Sequence, residues 1–367
     1  MATIILKATE KCNSNCYYCD VVRKKSTGQS MSLDVLEKLY QRISEFLGTN
    51  PDESIDILWH GGEPLLLGPE YFWQAIKLQE KYVGQQKNRI RHSIQTNLTC
   101  FTEEFVEIFR ELGINAVGTS YDPEPNMRGP GAIIDSLQYN QAFMKALEIL
   151  EKNGIGYGII YVVTRKSLEN PIGVFHFLTN FILSGGINFN PVLIYDNERK
   201  NIAITADEFA DFLGIIFPVW WENRSRYIEV EPFNSFIKNI VDGNRELSCV
   251  DSGSCTYHHI NIAPNGDASQ CGRSSDWGLL DYGNIANNSL DEIIHHQERQ
   301  KLEKRYQLIK DGDCKECRFW SICHGGCPLD SWSIHNDFNF KSEWCAAKKG
   351  FLEKYFEPIT GVTFNAC

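Results

Sequence analysis

The 367-residue chain lacks any apolar run long enough to cross a membrane. Its longest such run, FLGIIFPVWW from Phe212 to Trp221, falls well short of the roughly 20 residues that a spanning helix needs. The first residues, MATIILKATEKC, have neither the charged n-region nor the longer apolar segment of a signal peptide. We therefore expect no membrane association and a cytoplasmic location.

The chain also lacks an excess of positive charge. It has 36 Lys and Arg against 47 Asp and Glu, which gives a net charge of -11. A phosphate backbone would be repelled over most approaches, so this balance argues against a nucleic-acid or anionic-membrane partner. The chain is rich in cysteine, with 13 residues. In a reducing compartment that number indicates metal ligation and not disulfides.

The first cysteine group is CNSNCYYC, which supplies Cys12, Cys16 and Cys19 directly after a short apolar strand candidate. Spacings of three and then two residues let one tight loop wrap three thiolates around an iron-sulfur cube, which normally takes four cysteine ligands. One iron would then have no protein ligand. The alternatives are a zinc knuckle, which needs a fourth Cys or His close by, and a disulfide pair with a spare thiol.

This CxxxCxxC loop resembles the signature of the radical S-adenosylmethionine (SAM) enzymes. The resemblance implies that the open iron chelates the amino and carboxylate groups of SAM. An electron from the cluster then cleaves the sulfonium to give a 5'-deoxyadenosyl radical. Tyr18, beside Cys19, supplies an aromatic surface that can shield the cluster or pack on this cofactor.

From residue 3 to about 200, short apolar runs alternate with stretches of helical period. Strand-helix alternation predicts parallel strands with helices outside, and six such units make a partial (β/α)6 TIM-type barrel, an α/β fold. The predicted strands are Thr3–Ala8, Ile55–Trp59, Arg89–Gln95, Ile114–Ser120, Ile155–Val163 and Ile187–Ile194. The predicted helices are one that starts at the N-cap Ser32 and stops at Gly48, then Pro69–Val83, Thr102–Leu112, Gln138–Asn153 and Asn170–Ser184.

HGGEP, residues 60 to 64, follows the second predicted strand. Gly61 and Gly62 allow a close backbone approach, and Glu63 can accept a hydrogen bond from an ammonium group. The sequence resembles the GGE motif of the family, which implies that Glu63 contacts the SAM amino group. The alternative for so short a motif is a plain turn.

Polar residues also end the next two strands. By resemblance, Ser120 and Asp122 bind the ribose of SAM, and Asn97 lies at the methionyl end of the pocket. Arg128 resembles an arginine that grips the SAM carboxylate, a role that suits a bidentate guanidinium. The alternative for Ser, Asn and Asp at these positions is a local turn or helix cap.

A second cysteine group begins after residue 245. Gly266 stands five residues before the third of these cysteines, and a dense CxxCxxxxxCxxxC group follows. The arrangement resembles the SPASM domain, a C-terminal module of radical SAM enzymes that modify peptides and proteins. The resemblance implies two auxiliary clusters: cluster I on Cys249, Cys255, Cys271 and Cys327, and cluster II on Cys314, Cys317, Cys323 and Cys345. Two four-cysteine zinc sites are the alternative.

We therefore expect three domains or segments: a radical SAM barrel over residues 1–200, a bridging helical segment over 201–245 with Thr205 as N-cap, and a SPASM domain over 246–367. The expected cofactors are SAM and three [4Fe-4S] clusters. Cys100 and Cys367 are left over and are read as a small buried residue and a terminal thiol.

The implied activity is hydrogen-atom abstraction followed by net two-electron oxidation. The first interpretation is maturation of a ribosomally made peptide through a thioether, C–C or ether crosslink. The alternatives are dehydrogenation of a small alcohol or sugar, a formylglycine-type protein maturase, and a non-catalytic electron carrier or zinc-binding module. An electron donor such as flavodoxin or ferredoxin is expected. The cysteine loop begins so near Met1 that a leader peptide would need the barrel mouth or a separate partner protein.

A proton acceptor is also needed for such an oxidation. In the sulfatase-maturing relatives the proposed base is an aspartate directly after the third cysteine of auxiliary cluster I, and Gly272 takes that position here. This difference argues against formylglycine formation unless another carboxylate substitutes. The candidates are Asp267, Asp276 and Asp281.

Overall fold

The structure is a computed structural model, and its two compact units are interleaved along the chain. It describes residues 1–19, 28–129, 135–181, 185–227, 229–244, 247–252, 255 and 259–364. The first unit comprises residues 1–158 and 257–299, and the second comprises 159–256 and 300–367. The two units are defined by contacts between residues and differ from the predicted segments 1–200, 201–245 and 246–367. The predicted domain boundaries at 200 and 245 therefore remain predictions. Among the described residues, no helix is both long and apolar enough to span a membrane.

The first unit is built on a six-stranded sheet. Strands β1, β2 and β3 are parallel neighbours, β8 runs parallel to β1 on its other side, and β9 and β10 continue the sheet antiparallel. β4 lies next to the end of β3 through a parallel bridge. The strand bounds are β1 Ala2–Thr9, β2 Ile55–Gly61, β3 Ile90–Ile94, β4 Ala116–Ser120, β5 Gly156–Val163, β6 Ile187–Pro191, β7 Val230–Glu231, β8 His259–Ile262, β9 Asp267–Ser269 and β10 Asp281–Asn284.

Amphipathic helices cover this sheet because their apolar residues recur at helical spacing. On α1, for example, Leu36, Leu39 and Ile43 are fully buried. The helices of the first unit are α1 Leu33–Thr49, α2 Gly68–Val83, α3 Glu103–Leu112, α4 Ser136–Lys152, α8 Gly272–Asp276 and α9 Leu290–Ile294. Its 3-10 helices are Pro64–Leu67, Gly84–Arg89 and Gln297–Arg299.

The second unit contains the parallel pairs β5–β6 and β6–β7 and a helical layer. Its core is aromatic: the Phe217 ring centroid lies 5.2 Å from that of Phe233 and 5.3 Å from that of Phe351. The helices are α5 Pro171–Phe181, α6 Ala206–Asn223, α7 Phe233–Phe236, α10 Gln300–Asp311, α11 Trp320–Cys323, α12 Pro328–His335, α13 Cys345–Phe351 and α14 Glu357–Thr360. The 3-10 helices are Arg165–Glu169, Lys200–Ile202 and Arg224–Arg226, and Ile237–Val241 and Leu352–Phe356 are π-helical.

Most predicted elements are present within one or two residues at each end. Ser32 caps α1 through its side chain, which accepts a hydrogen bond from the Val35 amide at 3.3 Å. Thr205 caps α6 in a capping box with Glu208. The predicted stop at Gly48 is wrong, because α1 runs through it to Thr49.

Two other predicted ends differ from the structure. The predicted strand to Ile194 ends at Pro191, and the Val192 amide makes one further hydrogen bond, to the Val163 carbonyl at 2.9 Å. The helix predicted to Ser184 ends at Phe181, and its last three predicted residues lie outside the described residues.

Candidate active site

The loop that carries Cys12, Cys16 and Cys19 follows β1 and is held by the backbone of a second loop. The Asn15 amide donates to the Gly129 carbonyl at 2.8 Å, and the Tyr17 amide donates to the Met127 carbonyl at 2.9 Å. Backbone bonds of this kind do not depend on side-chain rotamers. They fix the path of the loop, so the three thiols are oriented by the chain itself.

The GGE turn after β2 is bound to the start of this same loop. The Gly62 amide donates to the Thr9 carbonyl at 2.7 Å, and the Glu63 amide donates to the Lys11 carbonyl at 2.8 Å. A Cβ on Gly61 would lie 2.1 Å from the Thr9 oxygen, and one on Gly62 would lie 2.1 Å from the Lys11 oxygen. The glycines therefore allow close approach to the cysteine loop, where the sequence predicted close approach to a cofactor.

Glu63 is fully buried and its carboxylate accepts three hydrogen bonds. The donors are the Leu65 amide at 2.9 Å, the Thr96 hydroxyl at 2.7 Å and the Asn97 amide at 2.6 Å. Burial raises the pKa of Glu63 to about 7, while these three donors act in the opposite direction. The carboxylate thus joins the ends of β2 and β3. Its two oxygens have about four lone-pair sites, so with three donors bound one position is left to accept from an ammonium group.

Asn97 connects the end of β3 to the cysteine loop. Its side-chain amide donates to Asn13 Oδ1 at 2.9 Å and to Ser14 Oγ at 3.0 Å, and it lies 3.9 Å from Cys12 Sγ. A direct SAM contact by Asn97 stays a prediction. The observed role is to brace the loop beside the first thiol.

Arg128 and Asp122 form a buried ion pair at 2.6 Å between Nε and Oδ2. Tyr18 donates to the same carboxylate oxygen at 2.7 Å and also contacts the guanidinium. A further Arg128 nitrogen lies 3.6 Å from Cys16 Sγ and 3.2 Å from the hydroxyl of Tyr139. Three of the predicted SAM residues are therefore brought together, as partners of one another.

Ser120 lies apart from this ion pair. Its hydroxyl accepts a hydrogen bond from Gln95 at 3.5 Å. A role for Ser120 at the ribose remains a prediction.

The three thiols of the loop fit an iron-sulfur cluster. Burial raises the pKa of Cys12 to about 12 and that of Cys16 to about 11, and the pKa of Cys12 is raised further by Cys16 and Cys19. Such crowded, buried thiols need a positive group to be held as thiolates, and a cluster supplies it. The Ser14 amide already donates to Cys12 Sγ at 3.4 Å, as it would to a ligating sulfur.

Among the described residues, no three His, Cys, Asp or Glu side chains are grouped so that they could hold a single metal ion. That geometry differs from the geometry of a cube, in which each thiolate binds a different iron.

A second polar group surrounds Lys7, near the end of β1. Lys7 is buried, and its ammonium lies 2.5 Å from Asp276 Oδ1 on α8 and 3.6 Å from Glu10 Oε1. Its neighbour across the β1–β2 pairing is His60, whose pKa is lowered by burial and then by Lys7. Sequence reasoning missed Lys7, although a lysine inside an otherwise apolar buried strand is itself a signal.

The other two base candidates are exposed, and each is the first residue of a short strand, Asp267 of β9 and Asp281 of β10. Asp267 accepts hydrogen bonds from Asn265 at 2.6 Å and Asn284 at 2.8 Å. Asp281 accepts from the Gly283 amide at 2.9 Å. Both carboxylates are bonded to uncharged amide groups at the surface. Asp276 differs from both of them. It lies one helical turn after Gly272, and it is paired with the buried ammonium of Lys7.

In the second unit, the four cysteines predicted for cluster II lie within electrostatic reach of one another. Burial raises the pKa of Cys314 to about 11, with further contributions from Cys317 and Cys345. Burial likewise raises the pKa of Cys323 to about 12, with further contributions from Cys345, Cys314 and Cys317.

Of the cysteines predicted for cluster I, Cys249, Cys255 and Cys327 belong to the second unit and Cys271 to the first. Their joint ligation of one cluster stays a prediction.

Two cysteines, Cys100 and Cys367, have no predicted ligand role. Cys100 is half-buried and accepts a hydrogen bond from Asn13 Nδ2 at 3.0 Å. Cys367 lies outside the described residues.

Comparison with known families agrees with both cysteine groups. The model for the radical SAM superfamily matches residues 6–178, and the SPASM model, an iron-sulfur cluster-binding domain, matches residues 249–318. The chain is a radical SAM enzyme with a C-terminal SPASM domain, so its cofactors are SAM and [4Fe-4S] clusters that include auxiliary ones. The predicted radical SAM α/β fold with a SPASM domain is confirmed.

Relatives span the whole chain. It is 25% identical over 385 residues to a cysteine-type anaerobic sulfatase-maturating enzyme of Clostridium perfringens (strain 13 / Type A), covering 100% of this chain and 99% of that one. It is 26% identical over 354 residues to a serine-type anaerobic sulfatase-maturating enzyme of Bacteroides thetaiotaomicron, covering 88% and 81%.

Solved structures share the fold. A structure described as native anSMEcpe with bound AdoMet and Cp18Cys peptide has a TM-score of 0.82 at 23% identity, with 98% of each chain covered. Streptococcus suis SuiB bound to the precursor peptide SuiA has a TM-score of 0.61 at 15% identity, covering 94% of this chain and 75% of that one. The two sulfatase-maturating enzymes agree better with the formylglycine alternative than with the crosslink interpretation.

Proposed function

We propose that this enzyme oxidises the Cβ of a cysteine or serine residue in a protein substrate to an aldehyde, the formylglycine-type reaction. Support comes from sulfatase-maturating relatives of both the cysteine and the serine type, one of which aligns with the full length of the chain. The observation that carries the proposal is the buried pair of Lys7 and Asp276, since it supplies the carboxylate that Gly272 does not.

The reaction removes one hydrogen atom, one proton and one electron from a CH2–OH or CH2–SH group. When bound, SAM and the first cluster supply hydrogen-atom abstraction and the auxiliary clusters supply an electron acceptor. Serine then gives the aldehyde directly. Cysteine gives a thioaldehyde that exchanges sulfur for oxygen with water.

Asp276 is the proposed acceptor of the proton. Its side chain is 16% exposed, against the 7% of Lys7, so Asp276 is the more accessible member of the pair. The ion pair with Lys7 holds the carboxylate in place, and a positioned carboxylate can act as a general base. Once Asp276 is protonated, the second carboxylate at Glu10 still balances Lys7.

In this proposal, the cofactor is held by residues on and around the first cysteine loop. Glu63 offers its remaining acceptor position to the SAM amino group, and Arg128 turns part of its guanidinium toward the SAM carboxylate. Ser120 and Asp122 serve the ribose, with Tyr18, Gly61, Gly62 and Asn97 shaping the pocket. The partners are a protein or peptide substrate and an electron donor such as flavodoxin or ferredoxin. A separate leader-binding protein would belong only to the crosslink alternative.

The test uses the reconstituted enzyme under anaerobic conditions with SAM, a reductant and two peptides. These are the Cp18Cys peptide seen with the clostridial relative and its counterpart with serine at the reacting position. We expect one of the two to lose one of its two CH2 hydrogens and to react with a hydrazine that traps aldehydes. Asp276→Asn should lower turnover of that peptide about 100-fold or more, because a general base contributes 10²–10⁴-fold.

Asp267→Asn is the matched control, since this carboxylate is exposed at the start of β9, and it should keep wild-type turnover. Loss of two hydrogens without any hydrazine adduct would contradict the proposal and indicate a crosslink. Equal turnover in wild type and Asp276→Asn would remove Asp276 from the role of base.

A further inference from the structure

Arg305 is a buried cation in the cysteine-rich part of the second unit. It lies on α10 and is only 4% exposed. Its guanidinium donates to three backbone carbonyls: Phe338 at 2.5 Å, Gly325 at 3.2 Å and Phe340 at 3.0 Å. Gly325 lies between Cys323 and Cys327, so one of these bonds fixes the turn that separates two predicted ligands.

Among the described residues, none of the hydrogen-bond partners of Arg305 is a carboxylate. All three acceptors are neutral carbonyls, and Asp330 acts on the guanidinium only from farther away. The Asp330 carboxylate instead accepts a hydrogen bond from Ser342 at 3.0 Å. A buried guanidinium is costly to desolvate unless an anion lies near it. Besides the carboxylate of Asp330, the acidic groups that act on this guanidinium are cysteine thiols.

The turn held by the Gly325 bond connects a predicted ligand of cluster II, Cys323, with a predicted ligand of cluster I, Cys327. Burial lowers the pKa of Arg305, and the cysteines that oppose this shift are Cys327, Cys255 and Cys314 in that order. Cys255 and Cys327 are assigned to cluster I, and Cys314 to cluster II. The guanidinium is thus within electrostatic reach of ligands of both.

We propose that Arg305 raises the reduction potentials of the two auxiliary clusters by placing a buried positive charge beside the turn between their predicted ligands Cys323 and Cys327. A [4Fe-4S] cluster with four thiolates is an anion, and it becomes more negative when it takes up an electron. A cation in a low-dielectric surrounding stabilises the reduced form more than the oxidised form. Arg305 is a positioning and tuning residue. It would make these clusters competent to accept the substrate electron, a role that rests on the proposed function.

The test is anaerobic redox potentiometry of the reconstituted enzyme, followed by electron paramagnetic resonance, with no peptide present. Arg305→Gln removes the charge and keeps a side-chain amide that can donate to the carbonyls. We expect reduction of the auxiliary clusters in this variant to become at least tenfold less favourable. For a one-electron couple, this corresponds to a fall of about 59 mV in the reduction potential. Arg305→His at pH 8 should show a fall of the same sign, and Arg305→Lys a smaller one.

Lys304→Met is the matched control, because it removes an exposed charge from the adjacent position of the same helix. Water screens that charge, so the potentials should equal those of the wild type. Wild-type potentials in Arg305→Gln and Arg305→His with full iron content would overturn the proposal. Loss of auxiliary iron in all three Arg305 variants would also overturn it, because Arg305 would then serve only to hold the loop. Peptide oxidation plays no part in this readout, so the proposed function can fail separately.

Discussion

Glu63 is the proposed cofactor residue whose surroundings are most completely specified. Two backbone amides and one hydroxyl donate to its buried carboxylate. In Glu63→Gln an amide nitrogen must replace one oxygen and meet one of these donors, which leaves a buried group without an acceptor. We expect a loss of about 1–3 kcal/mol in the free energy of unfolding, measured by denaturant titration of the anaerobic holoprotein.

Thr96→Ser is the control for this change. It keeps the hydroxyl that donates to the carboxylate and accepts from the Leu98 amide, and it loses only a methyl group, so it should cost only about 1 kcal/mol. A Glu63→Gln protein as stable as the wild type would show that the carboxylate network contributes little.

At the residue scale, cysteine spacing predicts the radical SAM and SPASM domains that the family models match, but it does not predict the contacts between side chains. Cysteine spacing reports on a ligand loop because the loop is local. The pairing of Lys7 with Asp276 joins positions 269 residues apart, so no local pattern contains it. Asp122 and Arg128 are only 6 residues apart, yet the resemblance predicts them as separate SAM contacts, because spacing alone does not show that their side chains form one ion pair.

Gly62 is the point at which two loops of the site meet, and this is an element-scale constraint. A Cβ there would lie 2.1 Å from the backbone oxygen of Lys11, so Gly62→Ala must displace the cysteine loop. We expect this variant to lose the first cluster and SAM cleavage while it keeps auxiliary iron. Iron analysis together with a 5'-deoxyadenosine assay measures both.

Gly48→Ala provides the comparison, because no atom lies within 4 Å of the added methyl group and the residue is inside α1. It should keep all iron and gain up to about 1 kcal/mol in unfolding free energy, since alanine favours a helix over glycine. The interpretation of the GGE turn would be wrong if both variants behaved alike.

His92 makes the β3 region sensitive to pH. Burial lowers its pKa to about 4 from the usual 6.5, and it accepts a hydrogen bond from the Trp59 indole at 3.1 Å. Between pH 6.5 and 4 the unfolded chain binds a proton that the folded chain does not. Stability contributed by neutral His92 is therefore complete above pH 6.5 and is lost as the pH falls toward 4, by about 3 kcal/mol in all.

His92→Asn should remove this part of the pH dependence because asparagine stays neutral and its oxygen can still accept from the indole. The measurement is the unfolding free energy at several pH values in this window. An unchanged slope in His92→Asn would assign the pH dependence to other groups.

Element types were predictable over the first 200 residues because alternation of strand and helix has a strong sequence period. The strands after residue 257 were not. β8 is only four residues long, and it joins β1, more than 250 residues earlier in the chain, in parallel register. That pairing depends on tertiary contact, so cysteine spacing led us to assign the whole segment to the SPASM domain.

For the whole molecule, three clusters predict about 12 irons per chain after anaerobic reconstitution. Cys16→Ala should lower this to about 8 and abolish SAM cleavage. Cys323→Ala should also give about 8 irons but keep SAM cleavage, because its proposed cluster is an auxiliary one. Four irons with zinc in the wild type would instead support the alternative of structural zinc sites.

The central claim, oxidation at the Cβ of one cysteine or serine, is tested most directly with a peptide deuterated at that Cβ. Under anaerobic turnover with unlabelled SAM, the account predicts that deuterium appears in 5'-deoxyadenosine in step with formation of the aldehyde. Unlabelled 5'-deoxyadenosine, formed in the presence of the peptide while all deuterium stays at Cβ, would contradict it.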